Sequence, residues 1–161
     1  MKPQQRRKNM RILQLSWEYP PRIVGGISRV VESISQKLSK EDEVYVLTVS
    51  DDYDRIEDYG NLKVFRVPVY TITPLNFIDW VMIMNMSIAE KAMYLAKKGY
   101  RFDIIHVHDW LMAFAGRMIK HSQRIPMVCT IHATEHGRNN GIHNQVQSFI
   151  HNVEWYLTFE S

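Results

Sequence analysis

With a single cysteine, Cys129, among 161 residues, the chain can form no internal disulfide. A lone thiol in the apolar run IPMVCTI is expected to be buried, and a reducing, cytoplasmic setting fits that usage. Long hydrophobic runs are missing too. The greasiest stretch, FIDWVMIMNMSIAEKAMYLA, is broken by Asp79, Asn85, Glu90 and Lys91, short of the roughly 18 uninterrupted apolar residues a membrane span needs. It reads instead as a helix buried along much of its surface. No secretory signal is expected, because Gln14, Ser16 and Glu18 interrupt the apolar segment that follows the basic start.

Charge of one sign is equally scarce. The formal excess of +3 traces to MKPQQRRKNM, which holds four of the 20 basic residues and no acid, whereas residues 11–161 carry 16 basic against 17 acidic groups. A near-neutral body offers no footprint for nucleic acid. Residues 1–9 read as a solvated basic tail ahead of one domain over 10–161, a length that suits a single globular core. The chemical fingerprints of three large classes are also absent. There is no G-x-G-x-x-G of dinucleotide binders, no G-K-S/T of a phosphate-binding P-loop and no H-E-x-x-H of a zinc protease.

What is present is an alternation of strand and helix patterns. RILQLSW (11–17) and EVYVLTV (43–49) have strand composition. Between them Ile27, Val30, Val31, Ile34 and Leu38 recur at helical spacing over about 26–39. The acidic DDYDRIEDYGN reads as a surface excursion, LKVFRVPV as a third strand and 77–97 as a Met-rich helix whose methionines suit adaptable core packing. RFDIIHVH (101–108), a short helix, IPMVCTIH (125–132), the polar aperiodic ATEHGRNNGIHN and a last helix complete the chain. The order β-α-β-β-α-β-α-β-α predicts a doubly wound α/β domain with a mainly parallel sheet.

In such sheets ligands gather beyond the carboxyl ends of the strands, and three informative segments fall there. WEYPPRIVGG sets two prolines, which stiffen the approach, before Gly25 and Gly26, which let a ligand approach the first helix start closely; unsatisfied N–H groups there favour phosphate. A glycine-rich helix start with no ligand is the alternative. After FDIIHV come His108 and Asp109; the aspartate can orient hydroxyls or simply cap the next helix. His132 closes the MVCTI strand, where an imidazole can face the cleft and donate to a developing negative oxygen or a sugar hydroxyl. His106 reads as a satisfied core histidine. Arg138, beside Gly137, can pair with an anion or lie solvated. The group His106, His108, Asp109, His132, Glu135 and His136 also raises a zinc site, and with it a metal-dependent hydrolase.

Taken together, PPRIVGG, FDIIHVHDW, VCTIHATEHGRNNGIHN and VEWYLTFES resemble the N-terminal domain of retaining GT-B glycosyltransferases of the glycogen and starch synthase type, over 10–161. The resemblance implies a Rossmann-like, acceptor-side domain facing a second domain that binds most of the donor and is absent after Ser161. It implies transfer of a glycosyl group, most naturally glucosyl, from UDP-glucose or ADP-glucose to a sugar or glucan hydroxyl, with configuration retained and with no metal or other cofactor. Gly25 and Gly26 match the family's double glycine near the donor's distal phosphate. Asp109 matches its His-Asp-Trp aspartate, and His132 the histidine beside the reacting centre. Where classical bacterial synthases carry a lysine, this chain has Ile23, with Arg22 beside it as a candidate for the charge. The chain alone is expected to be inactive. A nonenzymatic nucleotide- or phosphate-binding domain is the other reading of the same topology.

Overall fold

The computed structural model describes residues 9–70 and 72–161, so the expected basic tail lies outside the described residues up to residue 8. The apolar run RILQL becomes β1 (Arg11–Leu15), near the middle of a six-stranded sheet. After α1 (Ile27–Leu38) the chain returns as β2 (Glu43–Ser50), β3 (Arg55–Tyr59) and β4 (Leu62–Pro68). It then crosses by α2 (Phe77–Lys97) to β5 (Ile104–His108) on the other side of β1. A short 3₁₀ turn (Trp110–Met112), α3 (Ala113–Gln123), β6 (Met127–Thr130), α4 (Glu135–Asn139) and α5 (Gln145–Glu160) follow. The order across the sheet is β3-β4-β2-β1-β5-β6, parallel except for β3. The expected Rossmann-like architecture is therefore the one found. Its topological switch point lies between β1 and β5, where such sheets open a crevice.

Two core clusters flank the sheet. Leu13, Leu15, Leu47, Phe65, Ile105 and Val107 pack with α2, α3 and α5, and the smaller group of Val44, Val46, Leu62 and Val64 packs with Val31 of α1. Helix α1 approaches closely because its buried stripe is Ser28, Val31 and Ser35, two of them small. Val30, expected in that stripe, is exposed, one step round the helix. Of the expected core methionines, Met84 is buried and Met93 packs at the edge of the larger cluster, while Met82 and Met86 face solvent. Asn85 within α2 is buried and satisfied. Its Nδ2 donates to the carbonyls of Val81 and Leu111, both at 2.7 Å, and its Oδ1 accepts from the Ala115 amide at 2.8 Å. It thereby fastens the turn after β5.

The acidic excursion proves to be partly a strand. Residues 55–59 fold back on β4 through Gly60, whose φ of 77° suits glycine. Charged residues obscured it because β3 is an edge strand, where charge discourages intermolecular pairing. Its Glu57 has an inward task. The Arg66 guanidinium, 2% exposed, donates from Nε and Nη2 to the Glu57 carboxylate at 2.5 and 2.9 Å. It also donates to the carbonyls of Tyr19, at 3.3 Å, and Pro20. The turn leading to the glycines is thus held by an ion pair beneath it. Within that turn the Pro20–Pro21 bond is cis.

Candidate functional site

A cleft of about 470 Å³ opens at the switch point, and Gly25, Gly26, Asp109, His132 and Arg138 all line it. Five of the six expected site residues therefore share one hollow. Arg22 does not line it. The Tyr19–Arg22 turn, closed by the Arg22 amide on the Tyr19 carbonyl at 3.0 Å, sends its side chain to Asp51 beyond β2, with the guanidinium 5.9 Å from the Trp17 ring.

The glycine corner differs from expectation in one respect. Glu18, fully buried, lays Oε2 on the amides of Val24 and Gly25 at 2.5 and 2.7 Å. The N–H of Gly25 is therefore taken from within, and of the helix-start residues whose amides lack an intrahelical acceptor, Gly26 and Ile27 line the cleft. Neither Gly25 nor Gly26 has a positive φ, and a Cβ on Gly26 would meet nothing within 4 Å. Glycine at that position leaves room in the cleft and is not required by the backbone.

Asp109 follows β5 at φ 67°, a conformation a non-glycine residue adopts only where its surroundings impose it. Its side chain is 1% exposed. Oδ1 accepts the Trp110 amide at 2.8 Å, the capping role the sequence allowed, and Oδ2 accepts Arg138 Nη2 at 3.3 Å. Burial pushes its carboxyl above the usual range, against the pull of the Trp110 amide and Arg138.

The histidines form a chain. His106 Nε2 lies 2.8 Å from Thr130 Oγ1, a satisfied partner as expected. His108, fully buried, places Nε2 2.6 Å from Gln14 Oε1 and Nδ1 3.2 Å from His132 Nε2. Burial, with the neighbouring His106 and His132, drives His108 down to about 2, so it is neutral at ordinary pH. The nitrogens of His108 and His132 that zinc would need face each other, and Glu135 turns instead to Asn139. Among the described residues no group of three or more His, Cys, Asp or Glu side chains is placed to hold a metal ion.

Arg138 stands on α4, a five-residue helix inside the segment read as aperiodic. Thr134 caps it by accepting the Gly137 amide at 3.1 Å, and buried Glu154 of α5 accepts the Glu135 amide at 2.8 Å. Tertiary contacts, not periodicity, make this helix. They bring Arg138 Nη2 to the Ala133 carbonyl at 2.7 Å and leave the side chain 41% exposed. Sequence reasoning missed Glu18, Gln14 and Glu154. Only Glu18 left a visible sign, an acid wedged between Trp17 and Tyr19 just ahead of the prolines.

A switch-point cleft lined by a helix start, a buried aspartate, a histidine and an arginine suits a ligand that is both hydroxylated and anionic. The glycosyltransferase family 4 profile matches residues 24–160, and the chain belongs to that family. An uncharacterised glycosyltransferase of Methanocaldococcus jannaschii is 37% identical over 153 residues, covering 94% of this chain and 38% of that protein. The glycogen synthase of Mycobacterium tuberculosis is 33% identical over 168 residues, covering 94% of this chain and 41% of its own length. The chain thus spans about two fifths of these relatives. In fold it matches the sucrose-phosphate synthase of Thermosynechococcus elongatus, with a TM-score of 0.70 at 16% identity over 92% of this chain and 40% of that one. It also matches the catalytic domain of starch synthase IV of Arabidopsis thaliana, bound to ADP and acarbose, with a TM-score of 0.58 at 19% identity over 80% and 35%. The fold is that of the Rossmann-like domain of GT-B glycosyltransferases. No described helix is long and apolar enough to cross a membrane.

Proposed function

We propose that this chain is the acceptor-side domain of a retaining glycosyltransferase, and that the whole protein moves a glucosyl group from UDP-glucose or ADP-glucose to a hydroxyl of a sugar or glucan. The observation that carries this reading is the convergence of Gly26, Asp109, His132 and Arg138 on one cleft. As the diphosphate departs, positive character grows on the sugar ring and negative charge on the leaving oxygen. The amides of Gly26 and Ile27 and the Arg138 guanidinium are the groups of this domain suited to that negative charge. Asp109, held by Trp110 and Arg138, orients sugar hydroxyls, and His132 contacts the sugar near the reacting carbon. Catalysis then rests on positioning and fixed dipoles, with no cofactor beyond the nucleotide sugar. The remaining contacts to the donor belong to a second domain, without which this domain transfers nothing. A cytoplasmic setting accords with the nucleotide-sugar co-substrate.

The test uses the full-length protein with each nucleotide glucose and a panel of sugars and glucans, scored for transferred product. Asp109→Asn and His132→Ala are expected to lower kcat by about a hundredfold or more, the scale of one lost transition-state contact. Undiminished turnover by both variants, or no product from any donor by a folded protein, would overturn the reading.

A further inference from the structure

His132 is the cleft histidine, yet the residues that decide which of its nitrogens carries hydrogen lie behind it, buried in the sheet. Gln14 sits on β1 and His108 on β5, and the face they share carries the line Gln14 Oε1, His108 Nε2 and Nδ1, His132 Nε2, at successive separations of 2.6 and 3.2 Å. Both inner members are fully buried, so no solvent competes for their hydrogen bonds. The Gln14 amide turns its carbonyl oxygen to His108 and leaves its own Nε2 without a partner; an oxygen so placed can only accept, so the hydrogen of neutral His108 sits on Nε2. Nδ1 of His108 is then a bare lone pair and must receive, so His132 Nε2 must donate. A neutral His132 has one hydrogen to give, and it is spent inward.

We infer that Gln14 and His108 are positioning residues that lock His132 in its Nε2–H tautomer, so that the neutral ring meets a ligand through Nδ1 as a hydrogen-bond acceptor. The ligand group that answers an acceptor is a hydroxyl. A neutral His132 therefore accepts a hydrogen bond from a sugar hydroxyl and does not donate to a developing negative oxygen, which narrows the two roles the sequence left open. The hydroxyl-bearing ligand rests on the transferase reading; the tautomer rests on the geometry alone.

The experiment therefore separates the two. Histidine-¹⁵N-labelled chain is examined by long-range ¹H–¹⁵N correlation above the ordinary histidine range, where each neutral ring shows which nitrogen is protonated. His108 and His132 should both appear as Nε2–H tautomers. In Gln14→Leu, close in volume but without an acceptor, both rings should fall into a mixture. In Gln14→Glu, which keeps the acceptor, both should return to the single form, and this rescue separates tautomer control from general damage to the fold. An Nδ1–H signal for His132 in the parent, or a His132 tautomer indifferent to Gln14→Leu, overturns the inference whatever the enzyme does. In the full-length protein, Gln14→Leu should lower kcat about tenfold, a fraction of what one lost transition-state contact costs, with KM for the donor little changed. Parental kcat in that variant alongside the predicted mixture would overturn the catalytic part. Absence of any transfer by the parent, with the tautomers as predicted, would fell the transferase reading and leave the relay standing.

Discussion

Removing the Glu57 carboxylate should damage the fold far more than its place on an edge strand suggests. Arg66 is 2% exposed and Glu57 24%, so the pair is mostly shielded from water. Glu57→Ala strands a buried guanidinium whose remaining acceptors are the Tyr19 and Pro20 carbonyls. An orphaned buried charge costs about 3–5 kcal/mol, at least about a fifth of the roughly 5–15 kcal/mol that holds a domain together. At about 2–4 °C per kcal/mol for this size, Tm should fall by roughly 6–20 °C. Replacing both partners, as Glu57→Ala with Arg66→Met, should recover much of the loss, since exchanging a buried pair for apolar groups is often close to neutral. Arg66 holds the Glu57 carboxyl below the usual range. The pair's contribution is therefore complete above the unfolded carboxyl range and drains away as pH falls through the depressed folded value. Urea unfolding across pH, with thermal melts, of the parent, single and double variants measures all of this. A loss below about 1 kcal/mol in Glu57→Ala, within the range of an exposed ion pair, would refute the claim that Arg66 depends on this partner.

Gly116→Ala sets two effects against each other. Alanine is worth about 1 kcal/mol over glycine inside a helix, but the new Cβ would lie 2.5 Å from Val107 Cγ2 and 3.1 Å from Met127 Sδ. Overpacking of about 1–3 kcal/mol should win, and a variant as stable as the parent would contradict the tight seating of α3 on β5 and β6. Acid should unfold the protein partly through His108, which the fold holds at about 2 while an unfolded histidine sits near 6.5. Stability should thus fall as pH drops below 6.5, by about 1.4 kcal/mol per pH unit for that one proton. His108→Gln should flatten this slope in denaturant titrations across the window. Asp109 has the opposite sign: its raised carboxyl means that stability declines as pH climbs past the unfolded value of 3.8. Asp109→Asn should abolish that decline in melts at acid and neutral pH while still impairing transfer.

Strand and helix periodicity made the doubly wound order legible, because β1, β2, β4, α1 and α2 carry their apolar residues at regular intervals. The ends of those strands made most of the cleft legible too, since topology alone brings Gly26, Asp109 and His132 to one edge. What stayed hidden depends on partners distant in the chain. Strand β3 is written in charges because one face meets solvent and its Glu57 answers Arg66, nine residues on. Helix α4 is too short to show a period and stands on Glu154 of α5. The pairing of Gln14 with His108 joins residues 94 apart, and a glutamine in the middle of an apolar strand does not name its partner. Arg22 illustrates the reverse error: adjacency in sequence to the glycines suggested a shared site, and one turn of backbone sent the side chain elsewhere.

Because Glu18 already rests on the amides of Val24 and Gly25, the corner comes with its acceptor built in. An incoming phosphate finds those two amides already donating to Glu18 and must take its hydrogen bonds elsewhere in the cleft. Arg138, which also lines the cleft, is the group that draws negative charge toward itself. The anionic part of a ligand is thereby directed to Arg138 and to the amides beyond Gly25, not to the two that Glu18 already fills.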